Sequence, residues 1–271
     1  MKRLIVTIAS LLFATNLLAA ESTYPLDSME PDLKDQASLQ RGMQTYMNYC
    51  FACHSLQYQR YKRTAEDLGI PEDLMLEHLV FDPDVRIGAL MENNMAKEHA
   101  KTWFGAPPPD LTLYNNLKGG PDYIYTYLRT FYVDESRPLG VNNLVFANVG
   151  MPHVLADLQG EVHKVCKQIP VLAANGGQMM DPLTNEYITE EKCDQELIER
   201  GYSPLEVVEG TGKLSAEEYD QVIYDLANFL YYVAEPSRMD RERIGVYVLL
   251  FLAFFFVFTW LLGREFEKGY H

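Results

Sequence analysis

Residues 48–55 read Asn-Tyr-Cys-Phe-Ala-Cys-His-Ser, which places two of the four cysteines of a 271-residue chain three positions apart with His54 directly after the second. Three chemistries use thiols this close. A disulfide exchanger works through a reactive thiolate in Cys-x-x-Cys, but its motif follows a strand in a βαβ pattern, and the residues before Cys50 have helical spacing. A structural zinc site takes four ligands, usually as two close pairs, whereas Cys166 and Cys193 stand 27 positions apart. In the third chemistry both thiols add to the vinyl groups of a haem and the adjacent histidine is held under the iron. Cys50-x-x-Cys53-His54 matches that pattern in full. The expected cofactor is one haem c, attached through Cys50 and Cys53, with His54 as an axial ligand of the iron.

An iron used only for electron transfer needs a sixth ligand that keeps substrates away, and a methionine thioether raises the potential by favouring the ferrous state. Eleven methionines compete for the role. Met151 lies in Asn148-Val149-Gly150-Met151-Pro152, where glycine and proline set a rigid non-helical loop able to present a sulfur. Met43, Met47 and Met75 have the spacing of helix faces, and Met179 and Met180 lie in a glycine-containing insertion. His153 is the rival ligand, because bis-histidine haems exist. His78, His99 and His163 read as surface or core residues.

Elements that could position these groups are visible as periodic patterns. Leu39, Gly42, Met43, Tyr46 and Tyr49 recur at helical steps and predict an amphipathic helix leading into Cys50. Ser215-Ala216-Glu217-Glu218 is a capping-box signature. It opens a helix whose apolar face is Tyr219, Val222, Ile223, Leu226, Phe229, Leu230 and Val233, ending near Glu235-Pro236. Gly42, having no side chain, would let the two helices cross closely. Strand signals are sparse and no internal repeat appears.

The chain opens with Lys2 and Arg3, an uncharged apolar run and small residues up to Ala20, the layout of a secretory signal peptide. Leu18 is an imperfect fit to cleavage after Ala20, and retention as an anchor is the alternative. Ile244–Leu262 is a run of nineteen residues without a charge, long enough to cross a bilayer as a helix. Arginines flank it on both sides, so the positive-inside rule does not orient it. The leader does: residues 21 to about 243 are expected outside the inner membrane, and 263–271 in the cytoplasm. Formal charge is −15, and removal of residues 1–20 leaves 21 basic against 38 acidic side chains, a net −17. Such a surface disfavours nucleic acid as a partner and would steer a basic protein.

Together these residues resemble the cytochrome c1 family, in its proteobacterial form. The likeness runs from Gly42-x-x-x-Tyr46-x-x-x-Cys50-x-x-Cys53-His54 through Lys101-Thr102-Trp103-Phe104-Gly105 and Ala106-Pro107-Pro108-Pro109-Asp110-Leu111. It continues at Asn142, Phe146 and Gly150-Met151-Pro152, then Ala227-Asn228-Phe229-Leu230 and Glu235-Pro236 before the terminal apolar span. The resemblance implies that His54 and Met151 ligate the iron and that Pro108, Pro109 and Leu111 line the haem crevice. It also implies a dimeric quinol-oxidising bc1 complex with cytochrome b and a Rieske iron-sulfur subunit, delivering electrons to a cytochrome c acceptor. The chain alone would then not be an enzyme. One departure stands out. The family commonly has an arginine near a haem propionate where this chain has Asn115, Asn116 and Lys118 before Gly119-Gly120, and a lysine's point charge does not reproduce a guanidinium fork. Propionate contacts therefore stay unassigned.

Cys166 and Cys193, exported and unattached to haem, are expected to form a disulfide; the alternative is two free buried thiols. The fold expected is mainly α: a cytochrome c-like haem domain with loop insertions and one C-terminal transmembrane helix. Its expected parts are a signal peptide at 1–20, an extension at 21–36 and the haem domain at 37–235, with an insertion at about 160–212. A tether at 236–243, the span at 244–262 and a tail at 263–271 follow. An anchored cytochrome c subunit of a terminal oxidase and a periplasmic thiol-disulfide oxidoreductase are the competing readings.

Overall fold

The structure, a computed structural model, describes residues 24–117, 119–173 and 176–268. The leader expected at 1–20, Lys118 and the end of the expected tail lie outside the described residues. Helix α1 (Gln36–Thr45) starts behind Asp35, whose carboxylate accepts from Ser38 N at 3.0 Å. It runs into a wider turn, Tyr46–Cys50, where Phe51 N donates to Tyr46 O at 2.9 Å across five residues. Then come β1 (Leu56–Arg60), α2 (Tyr61–Leu68), α3 (Glu72–His78), β2 (Leu90–Met91), α4 (Lys97–Phe104), a tight turn at Tyr114–Asn116 and α5 (Pro121–Arg129). After β3 (Phe131–Val133) and β4 (Val141–Asn143) the chain forms α6 (Ala156–Gln159), β5 (Val162–Lys164), β6 (Lys167–Pro170), β7 (Thr189–Lys192), α7 (Asp194–Glu199) and β8 (Leu205–Val207). The long helices α8 (Ala216–Ala234) and α9 (Arg238–Lys268) close the described chain.

The fold is mainly α. Its strands pair as two-stranded antiparallel ladders, β1 with β2, β3 with β4, β5 with β8 and β6 with β7. Among the described residues none is longer than five residues, too short for alternation to show in the sequence. Contacts divide the chain into two compact units. The first holds Ser28–Tyr125 and the residues from Ser215 onward; the second holds Thr126–Leu214 and the described residues up to Asp27.

In the first unit the core is the crossing of α1 and α8. Leu39, Met43, Tyr46 and Met47 of the leading segment are buried, as are Ile223, Leu226, Phe229 and Leu230. A Cβ at Gly42 would lie 2.6 Å from the backbone carbon of Asp225 and 2.7 Å from Phe229 Cβ, so only glycine allows this approach. The expected capping box at Ser215 and Glu218 is present in both directions. Polar ties set the register: Asn228 Nδ2 donates to Ser38 Oγ at 3.0 Å and to Asp32 O at 2.9 Å.

Asp225 is 2 % exposed and faces Arg41 across the same crossing. Arg41 donates from Nε to Oδ2 at 2.6 Å and from Nη2 to Oδ1 at 3.1 Å, and Gln221 adds a bond to Oδ1 at 2.9 Å. A buried carboxylate without its cation keeps the desolvation cost and loses the compensating attraction. Arg41→Met should therefore lower stability by about 1–3 kcal/mol, less than for a fully enclosed pair because Arg41 is half exposed. Urea unfolding would read this, and the Arg41→Met/Asp225→Leu double variant should recover most of the loss.

Helix α9 continues without a break from Arg238 to Lys268, so residues 238–243 of the expected tether are helical. Arg238 and Arg241 reach back to Glu235 at 3.1 and 2.8 Å, tying the junction. Thirty-one residues span roughly 46 Å at helical rise, more than the ~30 Å of a bilayer's hydrocarbon. Among the described residues this is the one helix long and apolar enough to cross a membrane. Its leucines and phenylalanines, Leu249 and Phe256 among them, are exposed all round.

The second unit carries three of the ladders. A disulfide joins Cys166 to Cys193 with the Cα atoms 4.3 Å apart. It lies directly beyond the Lys167–Lys192 pair and closes the open end of the β6–β7 hairpin.

Candidate functional site

Cys50 ends the wide turn that follows α1, and Cys53 and His54 come directly after it, held by bonds from Cys53 N and His54 N to Cys50 O at 3.1 and 2.9 Å. The sequence pattern suggests a helix running straight into Cys50. The last turn widens instead, a feature common at functional sites because it redirects side chains. Both thiols are free, Cys50 buried and Cys53 half-buried. Burial pushes the Cys50 thiol up to about 12 and raises Cys53 as well. Thiols raised by burial, Cys50 above all, are the opposite of the electropositive setting that a disulfide exchanger needs.

His54 is oriented by a segment far away in sequence. Its Nδ1 lies 2.8 Å from the carbonyl oxygen of Pro109, which can only accept, so Nδ1 carries the proton and Nε2 keeps its lone pair. Burial lowers the His54 pKa, with the Pro109 bond opposing, so the ring is held neutral. The Tyr46 hydroxyl donates to His54 O at 2.5 Å.

The proline segment is pinned beside the motif in turn. Leu111 N donates to Ser55 O at 3.0 Å, Gln57 N to Asp110 Oδ2 at 2.8 Å, and Thr112 N to Asp110 Oδ1 at 2.9 Å. Pro108, Pro109 and Leu111 are thus brought alongside Cys50, Cys53 and His54 within the first unit. Asp110, which in the sequence stands out only as part of Ala106–Leu111, is the clamp. Asn93 adds a second brace, donating from Nδ2 to Phe51 O at 2.9 Å and from N to Ser55 Oγ at 3.0 Å.

Met151 belongs to the second unit. Its loop is anchored at both ends. Asn148, in the left-handed region at φ 61°, receives Arg137 at its Oδ1 and its carbonyl, both at 3.1 Å, and donates from N to Asn142 Oδ1 at 2.9 Å. Beyond the sulfur, His153 stacks on Phe131 with centroids 4.8 Å apart and planes 3° from parallel, and its Nε2 meets Gln159 Oε1 at 2.8 Å. That bond engages one ring nitrogen of the rival ligand. Met43, Met47 and Met75 are fully buried core residues, and Met179 and Met180 are exposed.

Among the described residues no group of three or more His, Cys, Asp or Glu converges as the shell of a metal ion would. The donor set instead suits a planar macrocycle, which takes thiols at its edge and an imidazole at its centre. The residues present fit a haem.

A family model for the cytochrome c1 family matches residues 32–192. The chain belongs to the cytochrome c1 family. It is 45% identical to cytochrome c1 of Allochromatium vinosum over the whole length of both chains. It is 35% identical to a Nitrosomonas europaea protein named ammonia monooxygenase gamma subunit, covering 91% of this chain and 89% of that one. Cytochrome c1 of Rhodobacter capsulatus is 25% identical over 87% of this chain and 84% of its own. Cytochrome c1 is the haem subunit of the bc1 complex and serves there in electron transfer, with a c-type haem. The apolar helix α9 fits the family's single-pass membrane anchor.

Proposed function

We propose that this chain holds one haem, bound covalently through Cys50 and Cys53, with His54 Nε2 and Met151 Sδ as the axial ligands. It receives electrons from a Rieske iron-sulfur protein and passes them to a cytochrome c acceptor. The observation that carries this reading is the His54–Pro109 bond, which fixes the tautomer leaving Nε2 available, the arrangement that metal-bound histidines use. A haem in this place would supply a reversible one-electron change at iron.

What the chain supplies is orientation and exclusion. Pro109 orients the imidazole, Asp110 braces the segment that carries Pro109, Cys50 would tether the group's edge, and the anchored Met151 loop would offer a sulfur that competes with incoming small ligands. The extended assignment follows the sequence: signal peptide 1–20, extension 21–36, haem domain 37–235 with its insertion at about 160–212, tether 236–243, span 244–262 and tail 263–271. The haem domain lies in the periplasm and the C-terminus in the cytoplasm, with cytochrome b and the Rieske subunit as neighbours in a dimeric complex. Pro108 and Leu111 line the crevice.

Haem extraction tests the attachment. From the wild-type chain, acid acetone should leave one haem per polypeptide, with a pyridine haemochrome spectrum of the c type. The Cys50→Ala/Cys53→Ala variant should release whatever haem it holds. Free extraction of haem from the wild type would overturn the proposal. Co-purification of the detergent-solubilised chain with a b-type cytochrome and a Rieske protein tests the assembly separately.

A further inference from the structure

The sulfur of Met151 has a hydroxyl neighbour. The Tyr127 hydroxyl lies 3.5 Å from Met151 Sδ, a donor facing a weak acceptor at the separation a large sulfur atom imposes. The two side chains share one scaffold. The Tyr127 ring meets Phe131 edge-on with centroids 5.1 Å apart, and the other face of the arrangement is His153 stacked on the same Phe131. The Tyr127 carbonyl accepts from Asn143 Nδ2 at 2.8 Å, while Asn143 Oδ1 accepts from Val145 N at 2.9 Å and Phe146 N at 3.1 Å on the approach to the Met151 loop. Donor and sulfur are therefore held against each other by the packing and not by chance proximity of two mobile side chains.

A thioether sulfur has two lone pairs. One that accepts from Tyr127 leaves the other for a metal, so the bond selects which side of the sulfur is offered. It also draws electron density from the sulfur. A sulfur that donates less stabilises ferric iron less, and ferrous iron, which donates back, loses little. We infer that Tyr127 is a positioning residue that acts through Met151, aiming its free lone pair and weakening its donation so that the redox equilibrium is biased toward the reduced state. The inference rests on the proposal that Met151 is the sixth ligand.

Tyr127→Phe in the full-length, haem-loaded protein is the test, because it keeps the ring on Phe131 and removes only the hydroxyl. The midpoint potential should shift downward, by less than Met151→Leu produces. Exogenous imidazole, which competes for the sixth position of the ferric protein, should bind several-fold more weakly, since the sulfur now donates more strongly. A monofluorinated tyrosine at 127, a better donor, should move both readouts the opposite way, and it serves if the phenylalanine variant fails to accumulate. The red charge-transfer band of methionine-ligated ferric haem distinguishes ligation by Met151 from tuning by Tyr127. If the wild type shows the band, lost in Met151→Leu, and Tyr127 substitution leaves potential and imidazole affinity unchanged, the tuning role is overturned. A fall in melting temperature alone, with both readouts unmoved, overturns it equally and leaves Tyr127 a packing residue. If the wild type lacks the band and Met151→Leu keeps its potential, the ligand assignment itself fails, and the inference fails with it.

Discussion

With Met151 as the proposed sixth ligand, Met151→Leu should leave the haem attached while emptying its sixth position, and the midpoint potential should fall. Leucine matches methionine in volume, so the loop between its anchors at Asn148 and His153 keeps its packing. What is lost is the thioether's preference for ferrous iron. Axial ligands set haem potentials over a range of about 0.8 V, so removal of one should cost on the order of a tenth of a volt or more. On the proposed ligation, carbon monoxide should bind the variant's ferrous form and not the wild type's. Delivery of an electron from a high-potential iron-sulfur donor would become uphill, and turnover of the assembled complex should drop although the subunit still assembles. Redox titration with and without carbon monoxide reads both effects. A variant that keeps its potential and refuses carbon monoxide would transfer the role to another residue; His153 would serve either through Nδ1 or by giving up the bond of its Nε2 to Gln159.

Gly42→Ala should be the most destabilising single-methyl addition in the helical core. Alanine in place of glycine gains about 1 kcal/mol of helix propensity. The added Cβ, however, would sit 2.6 Å from the Asp225 carbonyl carbon and 2.7 Å from Phe229 Cβ. The first is main chain and the second is rigidly attached to it, so no side-chain rotation relieves the overlap. The helices must separate, and with them Met43, Tyr46 and Phe229 lose their packing. Overpacking of this kind costs about 1–3 kcal/mol and more when backbone must move; a net loss of at least about 2 kcal/mol is expected. At about 2–4 °C per kcal/mol for a domain of this size, the melting temperature should fall by roughly 4–8 °C, and Gly42→Leu should fall further. Circular dichroism during thermal unfolding measures it. An unchanged melting temperature in Gly42→Ala would mean that the crossing is looser than the structure has it. Because Tyr46 also bonds to His54 O, the strain should reach the motif, and a lowered haem content in the purified variant is the accompanying sign.

The candidate residues were legible in the sequence because their signals are local. Cys50, Cys53 and His54 are neighbours, Gly150 and Pro152 flank Met151, and Ser215 caps the helix that starts one residue later. Each signal fits within a few positions, where bond geometry and helical spacing act directly. The close approach at Gly42 was legible too, since two apolar stripes must bury each other and a glycine on one of them marks where backbones can meet. The widened turn before Cys50 and the short ladders were not, because a one-residue change of helical pitch and strands of two to five residues leave no periodicity to read.

Tertiary structure decided which distant groups complete the local motifs. The histidine's type and place follow from sequence, but its tautomer depends on the Pro109 carbonyl, 55 positions away. Arg41 finds its carboxylate on Asp225, 184 positions away, and nothing about either residue alone names the other. Tyr127 is one of several tyrosines on α5, and its spacing does not distinguish it from Tyr123 or Tyr125; only the folding of Phe131 beneath both Tyr127 and His153 brings its hydroxyl to the Met151 sulfur. The physical reason is common to all three. A side chain's spacing determines the face of the element on which it lies, whereas the group it meets there is set by chain closure over tens to hundreds of residues, which the packing of the whole core selects and no local pattern encodes.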